Sequence, residues 1–343
     1  MPHDTRRRIA GLVTVLIAAN LAAWAWAFNV FHHYPLVLGT ALLAYGLGLR
    51  HGVDADHIAA IDNVTRTLMQ RGQQPVGVGF YFSLGHSTVV VLASVAIAAT
   101  ATALSHRFAA MREVGGVVGT LVSAGFLLAI AAINLHVLRT VYRTFRRVKA
   151  GGQYAQEDLD TLFAGGGLLA RIFRPLVRAI DRSWHMYPLG FLFGLGFDTA
   201  TEIGVLGIAA AEASKGMPIW SILIFPALFT AGMALVDTAD SILMLFAYGW
   251  AFVRPLRKLY YNMTITFVSV VVAALIGGIE ALGLIGDQMQ LRGTFWDWVA
   301  SLNGHFGGLG YLIIAIFVAS WVGSALVYRL KGYDTLEITE VPG

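Results

Sequence analysis

Four short groups of imidazoles, carboxylates and hydroxyls interrupt otherwise apolar stretches of the chain. The first reads His51-Gly52-Val53-Asp54-Ala55-Asp56-His57 and continues to Asp62 and Asn63. The second is Gly85-His86-Ser87-Thr88, the third Asp198-Thr199-Ala200-Thr201-Glu202, and the fourth Asp237-Thr238-Ala239-Asp240-Ser241. Imidazole nitrogen mixed with carboxylate oxygen suits a borderline divalent ion such as Ni2+ or Co2+, whereas an all-oxygen set would suit Mg2+ or Ca2+ better. A nearby carboxylate can offset the charge of a dication, or hold the second imidazole nitrogen and fix the tautomer. Ionisable side chains in a membrane helix cost about 2.5–3.5 kcal/mol each, so they mark a pathway or a site. Bracing of helix packing accounts for any one of these residues taken alone. It accounts poorly for four groups at once.

The elements that must position these groups are membrane helices. Of 343 residues, 57% are hydrophobic and 13% charged, with a mean hydropathy of +0.68; soluble domains carry about 25% charged residues. Apolar blocks cover 9–31, 36–63, 77–101, 115–138, 188–212, 217–250, 263–286 and 307–330. Each is long enough to cross a hydrocarbon core about 30 Å thick. A helix satisfies its own backbone in lipid, and the blocks are far longer than barrel strands. The expected fold class is all-α, a polytopic membrane protein with eight transmembrane helices in a single domain over 1–343. The sixth block is longer than one crossing needs, which predicts a break or an interfacial extension around Pro226 or Gly249.

Helical geometry limits what the second block can present. At about 100° per residue, His51, Asp54 and Asp62 share an arc of roughly 80°, while Asp56 faces nearly the other way. One regular helix cannot aim all of these groups at one ion. Either Asp56 pairs elsewhere, with Arg50 as a candidate, or the helix unwinds near Gly52. Asp198 and Glu202 are spaced to share a face, as are Asp237 and Asp240.

A net charge of +4 could suggest nucleic acid, but the basic residues gather in loops on one side, so no such partner is expected. With a cytoplasmic N-terminus, 19 Lys and Arg fall in inner segments and 4 in outer ones, Arg50 lying within the second helix. Arg66 and Arg71 are counted as inner. This bias places both termini in the cytoplasm. The connection 139–187 is the one long polar segment and is expected to lie on anionic lipid headgroups. Absence of cysteine excludes disulfides, thiolate ligands and a cysteine nucleophile.

Together the four groups resemble the signatures of the nickel/cobalt transporter family (NiCoT). RHGVDADHIAAIDN at 50–63 is similar to that family's second-helix signature, built on His-x4-Asp-His. LGHSTVV at 84–90, LGFDTATE at 195–202 and GMALVDTAD at 232–240 are similar to its other three, in the expected order. Gly52 stands where alanine is usual, and Ser241 where glycine is common. The resemblance implies a secondary transporter, or permease, that takes up Ni2+ and/or Co2+ across the inner membrane. The ion is then transported substrate rather than cofactor, no ATP-binding subunit is expected, and the chain is not an enzyme. By the same resemblance His51, Asp56 and His57 are essential, with roles for Asp54, His86, Asp198, Glu202, Asp237 and Asp240. The expected route has the ion bind His51, His57 and His86 from the outer side. Two other functions compete. Efflux proteins of the same broad group often carry a histidine-rich cytoplasmic loop, whereas 139–187 contains only His185. An intramembrane metalloenzyme would activate water at a bound metal, but no nucleophile or His-Glu-x-x-His pattern is present.

Overall fold

The computed structural model describes residues 3–100, 105–149, 180–195, 200–251 and 255–330. These residues are almost entirely helical. Helix α1 (His3–Phe31) precedes α2 (Pro35–His51), α3 (Ala55–Gln70), α4 (Val78–Thr100) and α5 (Ser105–Lys149). A short 3-10 turn leads into α6 (Met186–Gly194), followed by α7 (Ala200–Ser214), the single turn α8 (Ile219–Ile222) and α9 (Ile224–Ala251). The described part ends with α10 (Pro255–Gln288), α11 (Thr294–Gly304) and α12 (Phe306–Leu330).

Among the described residues, five stretches are long and apolar enough to cross a membrane, or up to seven if two bent helix pairs each count as one crossing. The chain is therefore a multi-pass helical membrane protein. The expected block 188–212 is represented by α6 and α7, and the residues between them lie outside the described part. Much of the connection 139–187 lies there too, although α5 runs to Lys149, well past the expected end at 138. Helix α11 folds where the sequence suggested only an outer loop.

The second block is not one regular helix. It breaks between α2 and α3, whose axes differ by 50°. The backbone N–H of Val53 bonds to the Arg50 carbonyl at 3.1 Å and that of Asp54 to the His51 carbonyl at 2.9 Å. This tighter three-residue spacing ends α2, and Asp54 then turns extended (φ −64°, ψ 145°) and starts α3. The unwinding near Gly52 that the sequence left open is adopted. Gly52 keeps an ordinary right-handed backbone, so its small size matters rather than its flexibility. A Cβ there would lie 2.8 Å from Val236 Cβ on α9, so an alanine would require a shift. The sixth block breaks at Leu223, which leaves Pro226 in the first turn of α9, where its missing N–H is not needed.

Helix α9 is central: it packs on α1, α2, α3, α4 and α7. At Gly79 of α4 an added Cβ would overlap the Asp237 carbonyl oxygen, so the backbones of α4 and α9 meet there directly. Two apolar cores flank the broken span. Ala41 and Ala44 of α2 join Val205, Phe225 and Phe229, whereas Ile58 and Ile61 of α3 join Leu127, Ile276 and Ile313. Leu21, Leu36 and Leu275 face outward, as lipid-facing side chains must. One sequence assignment is overturned: Arg66, placed in an inner connection, is fully buried on α3.

Candidate metal site

The break in the second block decides where its imidazoles go. His51 closes α2 and His57 lies in the first turn of α3, so a bend, not a straight helix, carries both. His86 enters from α4. All three are buried. Their ring centroids lie 4.6 Å (His51–His57), 4.7 Å (His51–His86) and 4.8 Å (His57–His86) apart. One ring nitrogen from each falls within 4.8 Å of the others. Nitrogens sharing one ion through bonds of about 2.1 Å stand roughly 3–4 Å apart, so a shift of about 1 Å would close them on it.

Each ring is held by an oxygen partner. His51 Nδ1 donates to Asp54 Oδ2 at 2.8 Å, and Thr201 Oγ1 lies 3.1 Å from the same nitrogen. That pairing leaves His51 Nε2 turned toward His86 Nε2, 2.9 Å away. His86 Nε2 is also 2.8 Å from Glu202 Oε1 on α7. His57 Nδ1 lies 3.3 Å from both Asp237 oxygens, and Ser83 Oγ donates to Asp237 Oδ2 at 2.6 Å. Among the described residues, His57 Nε2 and His86 Nδ1 have no hydrogen-bond partner. Buried imidazole nitrogens without partners are costly unless something else is meant to meet them. Phe82 packs edge-on against His57 at 4.8 Å, and Phe229 lies 5.4 Å from His51. An apolar shell of this kind lowers the local dielectric around a metal site.

The structure thus gathers His51, Asp54, His57, His86, Glu202 and Asp237 from five helices and one break. Asp56 is half-buried, and its charge acts on both His51 and His57. Asp240 is buried, within reach of the charges of Asp237 and Asp62, but no described bond ties it to an imidazole. Asp198 lies outside the described residues. Asp62, which the helical arc grouped with His51, is carried away by the bend and bonds elsewhere. The sequence reading also passed over Ser83. Its spacing of three residues from His86 puts both on one face of α4, which was the available signal.

A family model described as "High-affinity nickel-transport protein" matches residues 37–327. The chain is 64% identical over 333 residues to the high-affinity nickel transport protein of Cupriavidus necator, covering 97% of this chain and 95% of that one. It is 44% identical over 295 residues to the high-affinity nickel-transport protein NixA of Helicobacter pylori, covering 85% and 88%. To the cobalt transport protein NhlF of Rhodococcus rhodochrous it is 38% identical over 332 residues, covering 95% and 94%. No solved structure matches the chain.

Proposed function

We propose a function that starts from one premise: the chain belongs to the high-affinity nickel-transport protein family. It is a permease that takes up Ni2+ and/or Co2+, a reading supported by relatives named for nickel transport and for cobalt transport, and it is not an enzyme. The metal is its cargo. The observation that carries this reading within the chain is the meeting of three buried imidazoles from three helices.

His51, His57 and His86 supply the nitrogen ligands. Asp54 and Asp237 orient two of the rings, and Glu202 stands beside the third. Asp56, Asp198 and Asp240 add negative charge around the ion or exchange protons with it. In the ion-free form the Nε2 atoms of His51 and His86 lie 2.9 Å apart, and the proton that an arriving dication displaces from them has Glu202 Oε1, 2.8 Å from His86 Nε2, as its nearest acceptor. His51 and His57, each held through Nδ1, are already aimed, so little ordering of these two rings remains to be done when the ion arrives.

The remaining topology follows from charge and length. Counting α6 with α7 as one crossing, and each bent pair as one, gives eight spans in a single domain over 1–343. With Arg66 removed from the count, inner segments still hold 18 Lys and Arg against 4 outside. Both termini then face the cytoplasm and the chain sits in the inner membrane. A dication moving through a 100 mV inside-negative potential gains about 4.6 kcal/mol, twice the single-charge value. That driving force is sufficient without an ATP-binding subunit. Cells expressing the chain are expected to accumulate labelled Ni2+, with unlabelled Co2+ competing, and His51→Ala is expected to abolish accumulation. Unchanged uptake by His51→Ala would sink the site assignment.

A further inference from the structure

Helix α11 meets three different surroundings, and nothing in the metal site uses it. Its 11 residues reach about 16 Å at 1.5 Å each, half of the roughly 30 Å of a hydrocarbon core. It stands at 74° to α12, which at 25 residues is long enough to cross alone. Where α12 crosses, α11 therefore runs nearly in the plane of the membrane.

The side chains of α11 divide accordingly. At about 100° per residue, Trp296, Val299 and Asn303 share an arc of about 60°. This arc meets the protein. Val299 is 2% exposed, and the Trp296 indole lies so close to Gly286 of α10 that an added Cβ would come within 2.8 Å of it. Asn303 Nδ2 donates to the Ile279 carbonyl of α10 at 3.1 Å and sits over Gly283, where a Cβ would overlap it. Phe295, Trp298 and Leu302 share a second arc of about 60°. Phe295 is 53% and Trp298 60% exposed, so this apolar side is largely uncovered. Thr294, Asp297, Ala300 and Ser301, all exposed, take the remaining side. On α10 the exposed Leu282, Ile285 and Met289 also share an arc, next to the one formed by Ile279, Gly283 and Gly286 that carries α11. Tyr311 and Leu312 of α12 are exposed as well. The uncovered side of α11 thus continues the lipid-facing surface of the two helices it packs on.

We propose that α11 is an in-plane helix bound to the bilayer itself, with Phe295, Trp298 and Leu302 inserted at the boundary between acyl chains and headgroups and with Thr294, Asp297 and Ser301 turned to water. Protein, hydrocarbon and water on three successive sides is the setting of an interfacial helix. An indole, apolar but for its N–H, suits that level. Three partly covered side chains fall well short of the roughly 800 Å2 per partner of a stable protein interface, so the occupant is lipid rather than a second copy. Held by the membrane on one side and by α10 on the other, α11 fixes the height of α10, against which α3 and α5 pack. This goes beyond the transport reading and does not depend on it; the orientation given above only assigns α11 to the outer leaflet.

The test uses the full chain in proteoliposomes of phosphatidylcholine and phosphatidylglycerol. Because the chain has no cysteine, a nitroxide can be attached at one introduced thiol at a time, in Phe295→Cys, Asp297→Cys, Trp298→Cys and Ser301→Cys. An unfolding temperature equal to that of the unaltered chain marks a folded variant. Labels in place of Phe295 and Trp298 should be relaxed more by dissolved oxygen than by chromium oxalate, at about 5–10 Å into the headgroup boundary. Labels in place of Asp297 and Ser301 should show the opposite preference. Chromium oxalate reaching the Trp298 position as readily as the Ser301 position would overturn the proposal, since α11 would then stand in water. Shielding of the Trp298 position from both relaxants would overturn it too, since protein would then cover that side. Should both apolar-side variants fail to fold, the unaltered chain decides. A lipid with a photoreactive diazirine near the glycerol end of its acyl chain should label Phe295, Trp298 or Leu302, and no adduct on α11 would overturn the proposal. None of these measurements involves Ni2+, so their failure and a failure of the transport reading are distinguishable.

Discussion

Asp54 gives up the usual work of an aspartate at the start of a helix. At that position its carboxylate would accept a backbone N–H from the first turn of α3, a bond worth about 1 kcal/mol. No such cap forms, and the carboxylate holds His51 Nδ1 instead. Helix stability is therefore given up here in favour of imidazole orientation. Asp54→Ala is expected to lower Ni2+ affinity roughly 10–100-fold, as loss of a ligand-orienting partner does, while thermal unfolding in detergent moves little. Calorimetric titration beside a melting curve checks both halves. A large drop in melting temperature with intact affinity would show that Asp54 serves the fold instead. Ser83 and Asp237 stand in the same relation to His57, with the hydroxyl fixing the carboxylate that fixes the ring.

At the level of helices, the close meeting of α4 and α9 can be tested directly. Gly79→Ala drives a Cβ into the Asp237 carbonyl, and such overpacking costs about 1–3 kcal/mol. Gly125→Ala on α5 meets open space and serves as the matched control. A lowered unfolding temperature in the first and not the second is expected, together with weaker Ni2+ binding, since Asp237 holds His57. Equal melting of the two variants would refute the tight crossing. The sequence made much of this legible. Apolar blocks announced the crossings, and the four motifs named the side chains that converge. The unwinding near Gly52 was one of two open arrangements, because a lone glycine inside a helix costs only about 1 kcal/mol and so does not announce a break. Burial of Arg66 was not legible at all. Its partner Thr266 is 200 positions away, and its own neighbours Thr65 and Thr67 look like the polar end of a span. Helix α11 was also missed, being too short to register as an apolar block.

For the molecule as a whole, the charge bias makes a prediction that the absence of native cysteine renders easy to examine. A single cysteine introduced in place of Gln153 should react with a membrane-impermeant maleimide only after the cells are opened. One in place of Gln290 should react in intact cells. The reverse pattern would invert the proposed orientation and with it the direction of transport. The break between α2 and α3 bears on motion across the whole assembly. Helix α2 is packed with α1, α7 and α9, whereas α3 leans on α10 and α12 as well. His51 belongs to the first set of neighbours and His57 to the second. An ion gripped by both is a clasp across a joint. Amide exchange with deuterated water at residues 52–58 should slow when Ni2+ is bound, and unchanged exchange would mean that the joint is not clasped. If it is, grip and turnover pull against each other: a variant that seized its cargo much harder would be a better sequestrant and a poorer carrier, because the fastening would have to be undone before the two halves could swing.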